Sequence, residues 1–285
     1  MREDDLRPSS NIEDRRGMGG ATKGGLSIGV IVVLGLISWA TGIDPRLLIG
    51  GAEMVAGGGQ PAQSVQQGRQ GAPTDATGNF VARVLGETED VWTQILPQQT
   101  GVQYQKPTLV LFSGITRSGC GTAQSAMGPF YCPRDQKVYL DTAFFQDMQR
   151  RMGGGGDFAY AYVIAHEIGH HVQNLIGLLP KVQAAQAKAD TRTANDLSVR
   201  TELMADCLAG VWGYQMNQRH RNIDDNDVRQ AVATASAIGD DRLQQEAGRG
   251  AVVPDSFTHG SAAQRVQWLT TGLRTGQVAA CNTFK

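Results

Sequence analysis

The chain has 285 residues, of which 41% are hydrophobic and 19% charged, and its formal net charge is −1. This length accommodates one sizeable domain with additional segments. The near-zero charge argues against a nucleic-acid-binding protein, and the absence of a CxxC pair among the four cysteines argues against a zinc ribbon or a thioredoxin-type motif.

The N-terminal region predicts a membrane anchor. Residues 24–43, "GGLSIGVIVVLGLISWATGI", carry no charge over a length that can cross the hydrocarbon core of a bilayer. Basic residues precede this run at Arg15, Arg16 and Lys23. They predict a cytoplasmic leader over residues 1–23 and export of the chain beyond residue 43. A cleaved signal peptide is the alternative, but the leader is long for one and no small-x-small cleavage site comes after the run. The sequence favours a single-pass protein of the bacterial inner membrane with a periplasmic domain.

Export makes disulfide bonds plausible. Cys120 and Cys132 bracket the short segment "CGTAQSAMGPFYC", so we expect them to pair. Cys207 and Cys281 then remain, and a bond between them would tie a helix to the C-terminus. The alternative is that one or both of these two are buried free thiols.

Patterns along the rest of the chain predict a linker and a mixed domain. Residues 44–77 are rich in Gly, Gln, Ala and Pro, which is typical of a flexible linker, and the folded domain is expected over residues 78–285. The first predicted elements are a helix over 78–96 and a strand at 107–112. Residues 128–132 and 137–141 are predicted to form a β-hairpin or two adjacent strands, and residues 142–152 a helix.

The second half of the chain predicts only helices. They span about 158–176 with Asp157 as N-cap, 195–218, 225–245, and 261–273 with a capping box formed by Ser261 and Gln264. The predicted fold class is therefore α+β, mainly helical with a small early sheet.

Three of the five histidines lie in "AYVIAHEIGHHVQNLIGL", residues 161–178. His166, Glu167 and His170 form an HExxH motif, in which positions i and i+4 of a helix place both imidazoles on one face. Zinc suits such a site, because it accepts imidazole and carboxylate ligands and lowers the pKa of a coordinated water. A carboxylate beside that water can take its proton. The alternatives are a metal site without activity and a chance match in a buried helix.

A third ligand is needed to complete the site. A metzincin would carry a histidine six residues after His170, where this chain has Ile176. Downstream, Glu202 and Asp206 are four residues apart in the apolar segment "TELMADCLAG", where two buried carboxylates need a cation or hydrogen-bond donors. We therefore assign Glu202 as zinc ligand and Asp206 as acceptor from a ligating histidine. The alternative is that both are solvated or pair with Arg200.

Two residues near the last helix are candidates for stabilising an oxyanion. His259 precedes this helix and Arg265 lies within it, and either side chain could contact the anion that forms when water attacks a carbonyl. For His259 the default interpretation is a surface histidine. His171 follows a ligand but points about 100° away on the helix, so we interpret it as structural.

The ordered blocks "SSNIEDRRG", "GPFYCPRDQKVYLD", "HEIGHHVQ", "ELMADCLAGVW" and "HGSAAQRV" resemble the neutral zinc metallopeptidase family of bacterial membrane-anchored proteins, the YpfJ-like family. The resemblance covers nearly the whole chain. It implies peptidase chemistry, with His166, His170 and Glu202 as ligands and Glu167 as general base.

The order of motifs is also similar to that of the gluzincins, the CAAX-protease and HtpX type in particular. There a "THP" segment comes after the carboxylate motif, with an arginine six residues after its histidine. His259 and Arg265 keep that spacing here, but Gly260 stands in place of the proline. This similarity implies a zincin-like domain with a β-hairpin before the motif helix.

The resulting hypothesis is a membrane-anchored zinc metallopeptidase that cleaves an unidentified peptide or protein, without a nucleic-acid partner. Its alternative is a non-catalytic, zinc-stabilised envelope binding module. A third possibility is a latent enzyme whose cleft is covered by the loop at residues 153–156.

Overall fold

A five-stranded sheet and a set of packed helices make up the part of the chain that the structure describes. The computed structural model describes residues 1, 5–17, 68–124, 128–145, 148, 156–221, 223–246 and 252–285. The membrane helix predicted at residues 24–43 lies outside these ranges. Within them, no helix combines the length and the apolar character needed to cross a bilayer.

The sheet has mixed strand directions and the order β2-β1-β3-β7-β6. β7 runs parallel to β3 and antiparallel to β6, so the predicted hairpin is confirmed. β4 and β5 form a separate antiparallel pair. The strands are β1 Ile12–Asp14, β2 Arg69–Gln70, β3 Thr108–Phe112, β4 Ile115–Ser118, β5 Gly121–Gln124, β6 Phe130–Cys132 and β7 Lys137–Asp141.

The position of β1 differs from the sequence-based division into leader, linker and domain. β1 lies between β2 and β3, pairing parallel to β3, and Ile12 is fully buried in the core. Residues 5–17 and 68–77 therefore belong to the same folded unit as residues 78–285. A three-residue strand flanked by charged residues has too little periodicity to be recognised from sequence.

The helices predicted over 78–96, 158–176, 195–218 and 261–273 are present with shifted ends. The helix predicted over 225–245 is two helices separated at residues 238–239, and a helix at residues 178–186 was not predicted. Of the helix predicted over 142–152, the structure describes only residues 142–145 and 148. The helices are α1 Ala76–Thr100, α2 Asp157–Leu175, α3 Leu178–Gln186, α4 Thr191–His220, α5 Asp225–Ala237, α6 Asp240–Glu246 and α7 Ala262–Thr275. The predicted capping box of Ser261 and Gln264 is confirmed. The prediction of Asp157 as N-cap is wrong by one position, because Gly156 occupies the cap with φ 129° and Asp157 begins the helix.

Close packing of α4 against α7 fixes the helical layer behind the site. Gly210 of α4 faces Leu269, and Gly272 of α7 faces the carbonyl of Cys207; a Cβ at either glycine would collide with backbone atoms. The Cys207–Cys281 disulfide ties α4 to the C-terminal turn Val278–Cys281. Both predicted disulfides are present, since Cys120 and Cys132 are also bonded.

A buried ion-pair cluster holds β1 in the sheet. Arg15 and Lys137 each donate to the Glu13 carboxylate at 2.8 Å, and the Gly68 N–H donates to it at 3.0 Å. Burial raises the pKa of Glu13, but these three donors outweigh burial and lower the pKa to about 2. Glu13 therefore stabilises the folded state in its ionised form.

Replacing Glu13 with Gln is expected to remove up to about 3 kcal/mol of unfolding free energy at pH 7. Because the folded pKa lies below the ordinary 4.5, this contribution is present above pH 4.5 and is lost as the pH falls toward 2. Urea unfolding at several pH values measures it. The variant should lose less stability than the parent chain between pH 5 and pH 3; equal losses would contradict the assignment.

Candidate metal centre

The centre lies where α2 crosses α4. Gly169, inside the HExxH motif, faces Ala205, and a Cβ on Gly169 would lie 3.0 Å from the Ala205 carbonyl oxygen. Even an alanine here would require the neighbouring backbone to give by a few tenths of an ångström, so this glycine favours the close approach of the α2 imidazoles to the α4 carboxylates. The close crossing is what brings two distant sequence motifs together.

Three side chains converge on one point. His166 Nε2 lies 3.1 Å from Glu202 Oε2, and His170 Nε2 lies 3.4 Å from Glu202 Oε1. One ligand atom from each of the three residues can be chosen so that all lie within 4.8 Å of one another. Two imidazoles and one carboxylate at this spacing fit the three-protein-ligand zinc site that leaves a fourth position for water.

The remaining ring nitrogens are fixed by acceptors, which leaves the converging nitrogens free for a metal. His166 Nδ1 donates to Asp206 Oδ1 at 2.8 Å. His170 Nδ1 lies 2.9 Å from Gln173 Oε1, while Gln173 Nε2 donates to the carbonyl of Thr201 at 2.7 Å. Because the amide nitrogen serves that carbonyl, its oxygen must accept from His170. With each Nδ1 donating, Nε2 is the ring nitrogen that can offer a lone pair to a metal bound beside Glu202, as imidazole ligation requires.

Arg265 is buried and contacts Asp206, the acceptor of His166, rather than the converging ligand atoms. Its Nε donates to Asp206 Oδ2 at 2.8 Å and one terminal nitrogen donates to Oδ1 at 2.9 Å, a bidentate pair in which Asp206 is fully buried. The Tyr162 hydroxyl adds a 2.6 Å donation to the same carboxylate. The predicted oxyanion role of Arg265 is therefore corrected: its guanidinium is committed to Asp206, and through Asp206 it positions His166.

Electrostatic coupling inside the cluster is strong. Burial lowers the pKa of His166, but the carboxylates of Asp206 and Glu202 raise it to about 10. Burial raises the pKa of Asp206, which Arg265 and His166 lower to about 2. Without metal, protons on the imidazoles balance the carboxylates, so a divalent cation would displace protons when it binds.

Glu167 sits beside the converging atoms and is buried. Burial raises the pKa of its carboxyl, and the charges of His166 and His170 offset part of that rise. The backbone N–H of Tyr131, on the edge strand β6, donates to this carboxylate. A carboxylate next to a metal position can accept a proton from a coordinated water and return it.

His259 lies at the rim, and its side chain is half exposed. Its Nδ1 is 3.2 Å from Asp240 Oδ1, and the backbone N–H groups of residues 258–260 all donate to that carboxylate. The hydrogen bond to Asp240 raises the pKa of His259, and the charge of Glu202 adds to the rise. The imidazole is thus within electrostatic range of a ligand, and its contribution to catalysis stays a prediction.

Gly260 explains the departure from the "THP" pattern. Its φ is +92°, a backbone conformation that proline cannot adopt. The N–H groups of residues 258–260 all reach the Asp240 carboxylate before α7 begins.

His171 has a structural role, as expected. Its Nε2 donates to the Gln105 carbonyl at 2.6 Å, and its Nδ1 lies 3.0 Å from the Tyr131 hydroxyl. Burial lowers the pKa of His171 to about 4, so the ring is neutral at physiological pH. It therefore links α2 to the edge strand rather than binding metal.

Sequence reasoning missed several supporting residues. Tyr162 and Gln173 lie four residues before His166 and three after His170, so the helical period alone could have placed them near the ligands. Asp240 had no such signal, because it reaches His259 from a different helix. The alternative pairing of Arg200 with the carboxylates is excluded: its side chain contacts Asp196 and the Thr283 carbonyl.

Replacing Gln173 with Leu is expected to weaken zinc binding about 10–100-fold, since His170 loses the acceptor that sets its tautomer. Competition with a chromophoric chelator measures the affinity. Gln183→Leu, on the exposed face of α3, is the matched control and should be unchanged. Gln173→Glu keeps an acceptor and should retain more affinity than Leu. Equal zinc affinity for the Leu variant and the parent would rule out this role.

Replacing Arg265 with Leu is expected to cost about 3–5 kcal/mol, because it leaves the buried Asp206 carboxylate without its cation. Urea unfolding in the presence of a chelator isolates this loss from metal binding. The Asp206→Leu/Arg265→Leu pair should recover part of the stability, since both charges are then gone. A loss below about 1 kcal/mol for the single variant would show that the pair is not stabilising.

Comparisons with known proteins give a family match and two similar relatives. The chain matches, over residues 1–284, the family model described as "Putative neutral zinc metallopeptidase". "Uncharacterized protein YpfJ" of Escherichia coli (strain K12) is 45% identical over 297 aligned residues, 100% of this chain and 99% of that protein. "Uncharacterized protein Rv2575" of Mycobacterium tuberculosis is 44% identical over 238 residues, 79% of this chain and 76% of that protein. No solved structure gives a significant match, so the zincin-like assignment of the fold stays a prediction.

Proposed function

Because the chain belongs to the neutral zinc metallopeptidase family, we propose that it is a zinc-dependent endopeptidase whose metal is held by His166, His170 and Glu202. The observation that carries this proposal is the convergence of these three ligands beside the buried carboxylate of Glu167. Zinc is the family's cofactor, and the donor set of this chain fits it.

Each residue around the metal position has a proposed role in peptide-bond hydrolysis. When bound, zinc supplies a Lewis acid that lowers the pKa of a coordinated water and polarises a substrate carbonyl. Glu167 accepts the proton of the attacking water and later delivers it to the leaving amine. Asp206 and Gln173 keep the imidazoles in the ligating tautomer. His259 is the proposed donor to the oxyanion at the rim.

The edge strand β6 is the proposed substrate platform. It ends the strand order of the described sheet, and the Tyr131 N–H donates to Glu167, so this edge lies beside the general base. An extended peptide can pair with such an edge through its backbone, which would place a peptide bond next to the general base. This mode selects unfolded or extended segments rather than a particular sequence.

The proposed location is the extracytoplasmic side of the inner membrane. Two disulfides in the folded unit are typical of a protein that matures in an oxidising compartment. The uncharged run at residues 24–43 is the proposed membrane attachment.

Cleavage of an unfolded protein by the purified full-length chain tests the function. We expect proteolytic fragments of reduced, alkylated casein with zinc present, loss of cleavage after chelation, and recovery when zinc is restored. Stoichiometric zinc binding without turnover on casein or a peptide library would overturn the peptidase assignment. That outcome would favour the non-catalytic zinc-stabilised binding module instead.

A further inference from the structure

The two chain segments that flank the uncharged run at residues 24–43 are neighbours in one sheet. β1 precedes the run and β2 comes after it, and the two strands pair antiparallel with Asp14 opposite Arg69. β1 also pairs with β3 over three positions. The chain therefore leaves the folded unit after residue 17 and rejoins it at residue 68, beside the point of departure.

The leader cannot leave this position without a large loss of stability. The Glu89 carboxylate is buried, and it accepts hydrogen bonds from the Ser9 hydroxyl at 2.5 Å and the Asn11 side chain at 2.7 Å. Ile12 is fully buried in the main core. Withdrawing residues 5–17 would expose that core and strip a buried carboxylate of these two neutral donors.

Two of the three basic residues that suggested a cytoplasmic leader, Arg15 and Arg16, have partners in the folded unit, and Lys23 lies outside the described residues. Arg16 donates to Asp14 at 2.7 Å and to Asp75 at 2.6 Å. Arg15 is paired with Glu13 and donates to the Arg117 carbonyl at 2.8 Å. Their charges are neutralised by contacts within the domain, which gives them a role that is independent of membrane orientation.

A single crossing between β1 and β2 would separate β1 from β3 by a bilayer. A return crossing would need a second apolar stretch, and residues 44–67, "DPRLLIGGAEMVAGGGQPAQSVQQ", include three charged and several Gln residues without an 18-residue apolar run. We propose that residues 5–17 and the rest of the folded unit lie together on the extracytoplasmic side of the membrane. The two disulfides favour the extracytoplasmic side, because both lie within this folded unit and disulfides form and persist in oxidising compartments. This topology does not depend on whether the metal site is catalytic.

Cysteine accessibility in cells tests the topology with the full-length chain. Ser10→Cys in the leader and Ala184→Cys on α3 are exposed positions, and the four native cysteines are bonded. We expect a membrane-impermeant maleimide to label both variants to the same extent in intact spheroplasts. Labelling of Ser10→Cys only after lysis would overturn the proposal, as would protection of both positions.

A second measurement covers the case in which a new thiol disturbs folding. The Asp14→Cys/Arg69→Cys pair places two cysteines at directly opposed strand positions. In an oxidising compartment they should form a disulfide. The bonded pair then cannot react with maleimide-polyethylene glycol, so a non-reducing gel should show no mass shift, whereas two free thiols would each add one polymer. Two free thiols, with both native disulfides intact, would show that β1 and β2 are not together on the oxidising side.

Discussion

Replacing Glu167 with Gln is expected to lower kcat for peptide cleavage by roughly 10²–10⁴-fold while zinc stays bound at one per chain. The amide has nearly the same shape and keeps an oxygen for the Tyr131 N–H, but it cannot accept a proton. The three ligands His166, His170 and Glu202 are untouched. The measurement is casein cleavage by both proteins together with metal analysis.

The contrasting variant is Glu202→Gln. It removes an anionic ligand from α4, so it should lose zinc and activity together, whereas Glu167→Gln loses only activity. If zinc-loaded Glu167→Gln cleaves at the parent rate, Glu167 is not the general base and the proposed division of roles fails.

A chain that begins at residue 78 is expected not to fold cooperatively, which is the largest stability effect we predict. The truncation removes β1 and β2 from the sheet and deletes Ser9 and Asn11, two neutral donors to the buried Glu89. A buried carboxylate that loses its donors costs several kcal/mol, comparable to the whole stability of a domain. Calorimetry of the truncated and full-length chains makes the comparison, and a cooperative transition within a few degrees of the parent would contradict it.

A pair of matched substitutions separates the strand's contribution from the effect of truncation. Ile12→Ala in β1 empties a fully buried site and should cost about 2–5 kcal/mol. Ile115→Ala in β4 changes a side chain that is 59% exposed and should cost little. Equal effects would show that β1 does not belong to the core.

Much of the helical framework could be predicted because its signals are local. The apolar period of α2 and the capping box at Ser261 depend only on neighbouring residues, and both elements are present. The metal ligands could be proposed because HExxH fixes two of them on one helical face, and a pair of carboxylates in an apolar segment requires a cation.

The leader strand could not be predicted because its cause is not local. Three residues, Ile12 to Asp14, pair with partners almost one hundred positions away, and only Ile12 supplies a hydrophobic signal. The adjacent arginines instead matched the pattern of a cytoplasmic flank. Their ion pairs with acidic residues of the same unit become visible only in three dimensions.

The function of Arg265 was misassigned for a similar reason. Its spacing from His259 suggested a side chain that reaches the cleft. Helix α7 instead packs closely against α4, and the guanidinium is hydrogen-bonded to Asp206 of that helix. The spacing of residues along one helix does not reveal which buried carboxylate on a neighbouring helix will form an ion pair with a basic side chain.

The coordination sphere of zinc in the full-length protein is the most direct test of the proposed metal centre. X-ray absorption at the zinc edge, combined with metal analysis, should show one zinc per chain bound by two imidazole nitrogens, one carboxylate and one exchangeable water, with Zn–N distances of about 2.0–2.1 Å. His166→Ala should abolish this signal. Four protein ligands around the zinc, or no zinc in the parent protein, would contradict the proposed catalytic site.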